Sequence, residues 1–245
     1  MTAAAGGKAE LRLLSAGAMG EIVLELGDIY RAQTGIRLVG EFTRSPLVRD
    51  RVRAGESVDL VITTQSRIQE LAREGKVMPE SASALARSGI GIAVKSGRPK
   101  PDLASVDAFI AALRSAKTIA CADPAFGTAS GLYLAQLFDR LGLTAELGPK
   151  LRLIGATGGG PVVVCAAVAA GEAELGIQQI AEIVAVPGVD LVGPLPEEIQ
   201  HTTVFAVAVA TTAQDPAAAR DFVAFLAADA AKPIIAVHGM EPAHA

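Results

Sequence analysis

Four short stretches of this 245-residue chain place small and hydroxyl-bearing residues just ahead of apolar segments. They are Ser15-Ala16-Gly17-Ala18, Thr43-Arg44-Ser45-Pro46, Gly127-Thr128-Ala129-Ser130-Gly131 and Thr157-Gly158-Gly159-Gly160-Pro161. The chemistry open to them is anion binding. Backbone N–H groups at the start of a helix lack intrahelical partners and carry positive dipole character, so they hold anions without a full charge. Hydroxyls add donors, and Arg44 adds a fork that fits a carboxylate. One such stretch is equally a turn with an N-cap. Four in one chain predict a small-anion site drawing on Ser15, Ala16, Gly17, Ala18, Arg44, Ser45, Thr128, Ser130, Gly159 and Gly160. Thr64, closing an apolar run with Thr63, joins them as a residue that either faces the ligand or makes a plain turn.

Groups for proton transfer are sparse. Asp123 precedes Pro124, a pairing that reads as a turn. Glu182 reads as part of a solvated helix face, and His201 as a surface histidine. Arg49, Arg51 and Arg53 alternate along one segment and read as its wet face, and Tyr133 reads as core packing. The three histidines (His201, His238, His244) and two cysteines have no metal-ligand spacing, so no metal site is expected. Cys121 and Cys165 read as reduced core residues. There is no GxGxxG after the first strand, no GxSxG elbow and no P-loop lysine, and no cofactor is expected.

The elements that must position these residues alternate along the chain. Residues 11–16, 36–42, 58–63, 89–97, 118–122, 150–156, 173–179, 189–196 and 202–211 read as strands or extended segments. Helical spacing falls over 18–34, 45–55, 66–76, 106–116, the segment after the 127–131 loop, 158–172 and a terminal pair from 216 in which Pro233 starts the second. Such alternation predicts mostly parallel sheets flanked by helices, with ligands at the carboxyl ends of the strands.

Composition narrows the function further. The chain is 51% hydrophobic with net charge -4 and aromatics at 4%, which excludes a nucleic-acid footprint and an aromatic sugar cleft. No apolar run is long enough to span a bilayer. The opening "MTAAAGGKAE" has no apolar signal core, which fits either a cytoplasmic chain or one that starts after a removed secretion signal.

From about Leu11 to Pro242 the chain resembles the periplasmic molybdate-binding protein family. The resemblance rests on "SAGAMGEIVLELGDIYRAQTGIRL", "EFTRSPLVRDRVRAGESVDLVIT", "ADPAFGTASGLYLAQLFDRLGL", "AAGEAELGIQQIAEI" and "DFVAFL". It implies an α/β, two-lobed type II periplasmic-binding-protein fold, each lobe a mixed, mostly parallel sheet flanked by helices, joined by a two-strand hinge. Lobe 1 would hold residues 9–88 and 203–245, and lobe 2 residues 89–202. It also implies a solute-binding role: a small anion held in the interlobe cleft, an ABC-type permease as partner, and a periplasmic location. Ser45 falls on one binding Ser of the family. The other falls on Ala18, which has no hydroxyl, and the family's binding Tyr falls on Gln179, which thereby joins the candidate site. With Arg44 added, these departures point from molybdate toward a larger, planar organic di- or tricarboxylate. "GIQQI" and "GMEP" are similar to the aconitate isomerase-like branch. That branch supplies the alternative expectation, an enzyme that shifts a double bond in a tricarboxylic acid by proton transfer.

Overall fold

A computed structural model describes residues 10–155 and 163–243. The chain divides into two compact units. The first runs to Ala86 and adds Val204–Val237 and the residues from Glu241 on, and the second comprises Arg87–Thr203 and His238–Met240.

The first unit is built on a six-stranded mixed sheet of order β11-β4-β10-β3-β1-β2. Its strands are β1 (Glu10–Ala16), β2 (Arg37–Thr43), β3 (Leu60–Thr64), β4 (Ser83–Ser88), β10 (Thr203–Val209) and β11 (Glu241–Pro242). β1 runs parallel to both β2 and β3, with Ala16 opposite Thr43 and Ser15 opposite Ile62. The carboxyl ends of these three strands therefore meet on one edge. β10 runs antiparallel to β3. Helices α1 (Gly20–Thr34), α2 (Ser45–Arg53) and α3 (Gln65–Arg73) follow the three parallel strands in turn, and α9 (Pro216–Leu226) and α10 (Lys232–Val237) close the unit. The core beneath α2 and α3 packs Leu14, Val48, Val52, Val61, Ile68 and Leu71. Asp59, fully buried, anchors the start of β3: its carboxylate accepts the amides of Arg12 and Gln214, each at 2.8 Å.

The second unit holds a five-stranded mixed sheet of order β7-β6-β8-β5-β9. These are β5 (Ile90–Lys95), β6 (Ile119–Ala122), β7 (Leu151–Ile154), β8 (Leu175–Gln179) and β9 (Val189–Pro194). β6 is parallel to β7 and β8, whereas β5 is antiparallel to β8 and β9. The helices are α4 (Val106–Ser115), α5 (Ala129–Arg140), α6 (Thr144–Leu147), α7 (Val164–Ala169) and α8 (Ile180–Val184). Phe109, Leu113, Leu134, Leu137 and Phe138 bury themselves against Ile90, Ile92, Ile119 and Ile177.

Two differences from the sequence reading concern the sheets. β4 was not expected, because its "SALARS" carries no apolar run, yet Leu85 and Ala86 are buried. The chain leaves the first unit within β4 and returns within β10, and these two strands are neighbours in one sheet. Antiparallel pairs also carry more of each sheet than the alternation suggested, since an apolar run reads the same in either direction. At the first loop, Gly17–Met19 form a tight 3-10 turn, so α1 begins two residues later than its spacing implied.

Candidate functional site

In the first unit the candidate residues gather where β1, β2 and β3 end. Ser15 and Ala16 are the last residues of β1 and are buried; the Ser15 hydroxyl donates to the Ala16 carbonyl at 3.1 Å. Gly17 and Ala18 lie in the 3-10 turn and are half-buried. Thr43 ends β2 and is buried. Arg44 then occupies the N-cap position of α2 in an extended conformation, with Ser45 and Pro46 forming the first turn. An arginine at that position cannot cap with a side-chain oxygen. Pro46 has no N–H, and the Leu47 and Val48 amides donate to the Arg44 carbonyl at 2.9 and 3.1 Å, which leaves the Ser45 amide at the head of α2 with a guanidinium beside it. Arg44 is half-buried, and its Nη1 is sealed from solvent. Thr63 Oγ1 contacts the Ser45 carbonyl at 3.4 Å, joining the end of β3 to the start of α2.

Thr64 is 5% exposed and stands at the N-cap of α3. It pairs with the Ser66 hydroxyl at 3.2 Å and accepts from Arg67 Nη1 at 3.1 Å. Arg67, within "SRIQELAREGK", was not among the residues singled out from the sequence. Its guanidinium is half-buried, and burial lowers its pKa from the ordinary arginine value; the neighbouring Arg49 charge lowers it further, against Glu70 and Asp50. A cation in the first turn of a helix, just after two threonines that end a strand, was the available signal, because the helix dipole opposes it there. Arg49, Arg51 and Arg53 are half-buried, short of the wet face expected, and sit in acidic company. Arg49 pairs with Asp50 at 2.8 Å, Arg51 with Glu41 at 2.7 Å and with Glu56, and Arg53 with Glu74.

In the second unit the 122–131 loop follows β6. Asp123 Oδ1 accepts the Ala125 amide at 2.9 Å, a turn as expected. Gly127 takes the left-handed conformation (φ 65) after a 3-10 turn, Pro124–Phe126. Thr128 caps α5 by accepting the Gly131 amide at 3.3 Å. That leaves the amides of Ala129 and Ser130 among the helix-start donors that intrahelical bonds do not use. Ser130 is 4% exposed. Gly131 is required because a Cβ there would lie 2.9 Å from both the Ala122 carbonyl and Thr128 Oγ1. Gly159 and Gly160 lie outside the described residues.

Gln179, at the end of β8, is 4% exposed, and its amide has protein partners. With the oxygen accepting from Thr203 Oγ1 at 2.7 Å, the nitrogen donates to the Ser88 carbonyl at 2.9 Å and hydroxyl at 3.2 Å. Gln179 thus ties β8 to Ser88 and Thr203, which belong to the two strands that cross between units. Glu182 corrects the solvated-face reading. Desolvation pushes its carboxyl up to about 7, against opposing hydrogen bonds from Gln178 and the Gln179 backbone. The Cys165 thiol, on α7, is pushed up to about 12, by burial first and by Glu182 second. Cys121 is likewise a buried free thiol. His201 stacks on Tyr133 with ring centroids 4.6 Å apart, and burial lowers its pKa. The Tyr133 hydroxyl donates to the Ile199 carbonyl at 2.7 Å, a polar anchor beyond the core packing expected of it. Among the described residues no group of three or more His, Cys, Asp and Glu could hold a metal ion, and no helix is long and apolar enough to cross a membrane.

Two mixed sheets flanked by helices, with strand-end loops opening onto helix starts, make up the type II periplasmic-binding-protein fold. The chain belongs to the bacterial extracellular solute-binding protein family, whose members match it over residues 11–241. It is 35% identical over 240 residues to an aconitate isomerase from a Pseudomonas species, covering 95% of this chain and 87% of that protein. The periplasmic molybdate-binding protein of Azotobacter vinelandii superposes with a TM-score of 0.75 at 20% identity, covering 94% of this chain and 98% of that one. The sulfate-binding protein SubI of Mycobacterium tuberculosis does so with a TM-score of 0.76 at 18% identity, covering 96% and 87%. The resemblance to the molybdate-binding family read from the sequence is borne out.

Proposed function

We propose that this chain is a periplasmic solute-binding protein that captures an organic di- or tricarboxylate for an ABC-type uptake system. The observation that carries the proposal is Arg44 at the head of α2: a half-buried guanidinium beside the amide and hydroxyl of Ser45, where the molybdate-binding pattern has a small residue. A guanidinium fork matches a planar carboxylate in both geometry and charge. The absence of a hydroxyl at Ala18 removes a donor that a tetrahedral oxyanion would use. The ligand set proposed with Arg44 and Ser45 is Ser15, Ala16, Gly17, Ala18 and Thr64 from the 9–88 and 203–245 lobe. Thr128, Ser130, Gly159, Gly160 and Gln179 come from the 89–202 lobe, Gln179 through its hold on the crossing strands. A thermal-shift panel of succinate, tricarballylate, trans-aconitate and molybdate tests the proposal, because a ligand that binds only the native state raises the melting temperature. A shift with the acids and none with molybdate is expected. A shift with molybdate alone overturns it.

A second reading is favoured by the relative named aconitate isomerase and by Glu182, a buried carboxyl whose proton is exchangeable near neutral pH. On this reading the chain moves a proton on a bound tricarboxylic acid. Incubation with cis-aconitate, followed by its absorbance as trans-aconitate forms, checks it. A protein that binds the acid and leaves it unchanged acts in binding alone.

A further inference from the structure

The sheet of the first unit ends on β2, whose outer edge has no partner strand among the described residues. β2 is seven residues long, holds no proline and keeps an unbroken register with β1, so its outer N–H and C=O groups form a regular row open to pairing. Arg37, Val39 and Glu41 are exposed on one face. Leu38 and Phe42, with Ile36 just ahead of the strand, are only half-buried on the other face, toward α1. The apolar layer under α1 is thus left open at this edge. Leu24, 52% exposed, shares a shallow cleft with Leu38, Gly40 and Phe42, and Val39 is 39% exposed on the opposite face. Residues 36–42, "IRLVGEF", complement their own reverse. In an antiparallel pair centred on Val39, Arg37 stands opposite Glu41 of a second copy, and Val39 opposite its own counterpart. Ile36 stands opposite Phe42, and Leu38 opposite Gly40, which has no side chain to obstruct it. Directly opposite residues in such a ladder share a face, so these pairs meet, and the twofold axis repeats each of them. A slip that sets Glu41 against Val39 loses both ion pairs, so the charges select one register. Arg37 and Glu41 each have an intrachain partner, Glu10 at 2.7 Å and Arg51 at 2.7 Å, yet their side chains stay 59% and 67% exposed. Surface pairs of this kind hold their charges loosely, and a guanidinium and a carboxylate each have sites for a second partner.

We infer that β2 is the surface through which two copies of this chain associate, by antiparallel β2–β2 pairing centred on Val39 that joins their six-stranded sheets into one. Charges on an edge strand ordinarily discourage strand addition. Here the same charges oppose most incoming strands and admit a second copy in one register. A strand edge with its flanking side chains buries less than a standard interface, so the association is weak and reversible. The paired stretch stops short of Thr43 and Arg44, so association is expected with or without a ligand on the strand-end loops.

The experiment is sedimentation equilibrium of the whole chain from about 10 μM to about 1 mM, where weak interfaces become populated. It compares the wild type, Arg37→Glu, Glu41→Arg and the double exchange of both. Each single exchange sets like charges opposite one another at both ends of the paired stretch and should weaken association about tenfold or more. The double exchange restores opposite charges and should recover most of the loss. Val39→Cys, on the twofold axis, should give a disulfide-linked dimer under mild oxidation, since Cys121 and Cys165 are buried. That readout stands in where circular dichroism shows an exchanged variant to be unfolded. A wild type that stays monomeric across the range overturns the inference. So does a dimer that no exchange weakens and that Val39→Cys does not link, because another surface then holds it. Single exchanges that weaken the dimer without recovery in a folded double exchange overturn the Arg37–Glu41 register, and the inference with it.

Discussion

Replacing Glu182 with glutamine removes a titration that the fold makes unfavourable. The carboxyl is pushed from 4.5 to about 7, mainly by burial. The native state therefore keeps this proton between those two values while the unfolded chain releases it. Where the native state binds more protons, stability falls as pH rises. The cost accumulates from about pH 4.5 to about pH 7 and is constant above. At roughly 1.4 kcal/mol per pH unit, the gap corresponds to at most ~3.5 kcal/mol above pH 7. Glutamine has the same shape and can still bond to Gln178, so Glu182→Gln should be more stable than the wild type at pH 8 and nearly equal to it at pH 4.5. Urea unfolding of both proteins across this range gives the difference directly. A carboxyl carbon titration of Glu182 by NMR gives the midpoint, expected near 7. A stability difference that does not change with pH, or a midpoint near 4.5, refutes the burial argument for this carboxyl.

Arg44→Ala should weaken carboxylate binding by roughly 1.5–3 kcal/mol, the range for a charge-assisted hydrogen bond, as read by titration with tricarballylate. Thr128→Ala removes the cap on the Gly131 amide and should cost about 1 kcal/mol of stability in urea unfolding, with Thr128→Ser keeping most of it. Gln179→Leu breaks the contacts to Ser88 and Thr203 and should cost about 1–3 kcal/mol, because it leaves buried partners unsatisfied; an unfolding midpoint equal to that of wild type would show that the tie carries nothing.

Most strands and helices were legible because the chain alternates apolar strands with amphipathic helices bounded by Gly and Pro. Pro46 inside the start of α2 and Gly55 (φ 88) just past its end are the clearest case. β4 was not legible: its buried Leu85 and Ala86 owe their burial to β10 and β11, which come from the other end of the chain. In the candidate site, Arg44 and Ser45 could be assigned to the turn between β2 and α2 because such a turn needs only local sequence. Gln179 entered the candidate set through the family resemblance, but its contacts to Ser88 and Thr203 were not legible, since those partners lie far along the chain. Arg67 was passed over and Glu182 misread for one shared reason. Each is an ordinary surface charge on a helical wheel, and only tertiary packing takes its charge out of water.

The most direct test of the carboxylate cradle is a calorimetric titration of the wild-type chain with tricarballylate and with molybdate under one buffer and salt. The account predicts saturable binding of tricarballylate and no heat from molybdate. Tight molybdate binding with tricarballylate silent would contradict it.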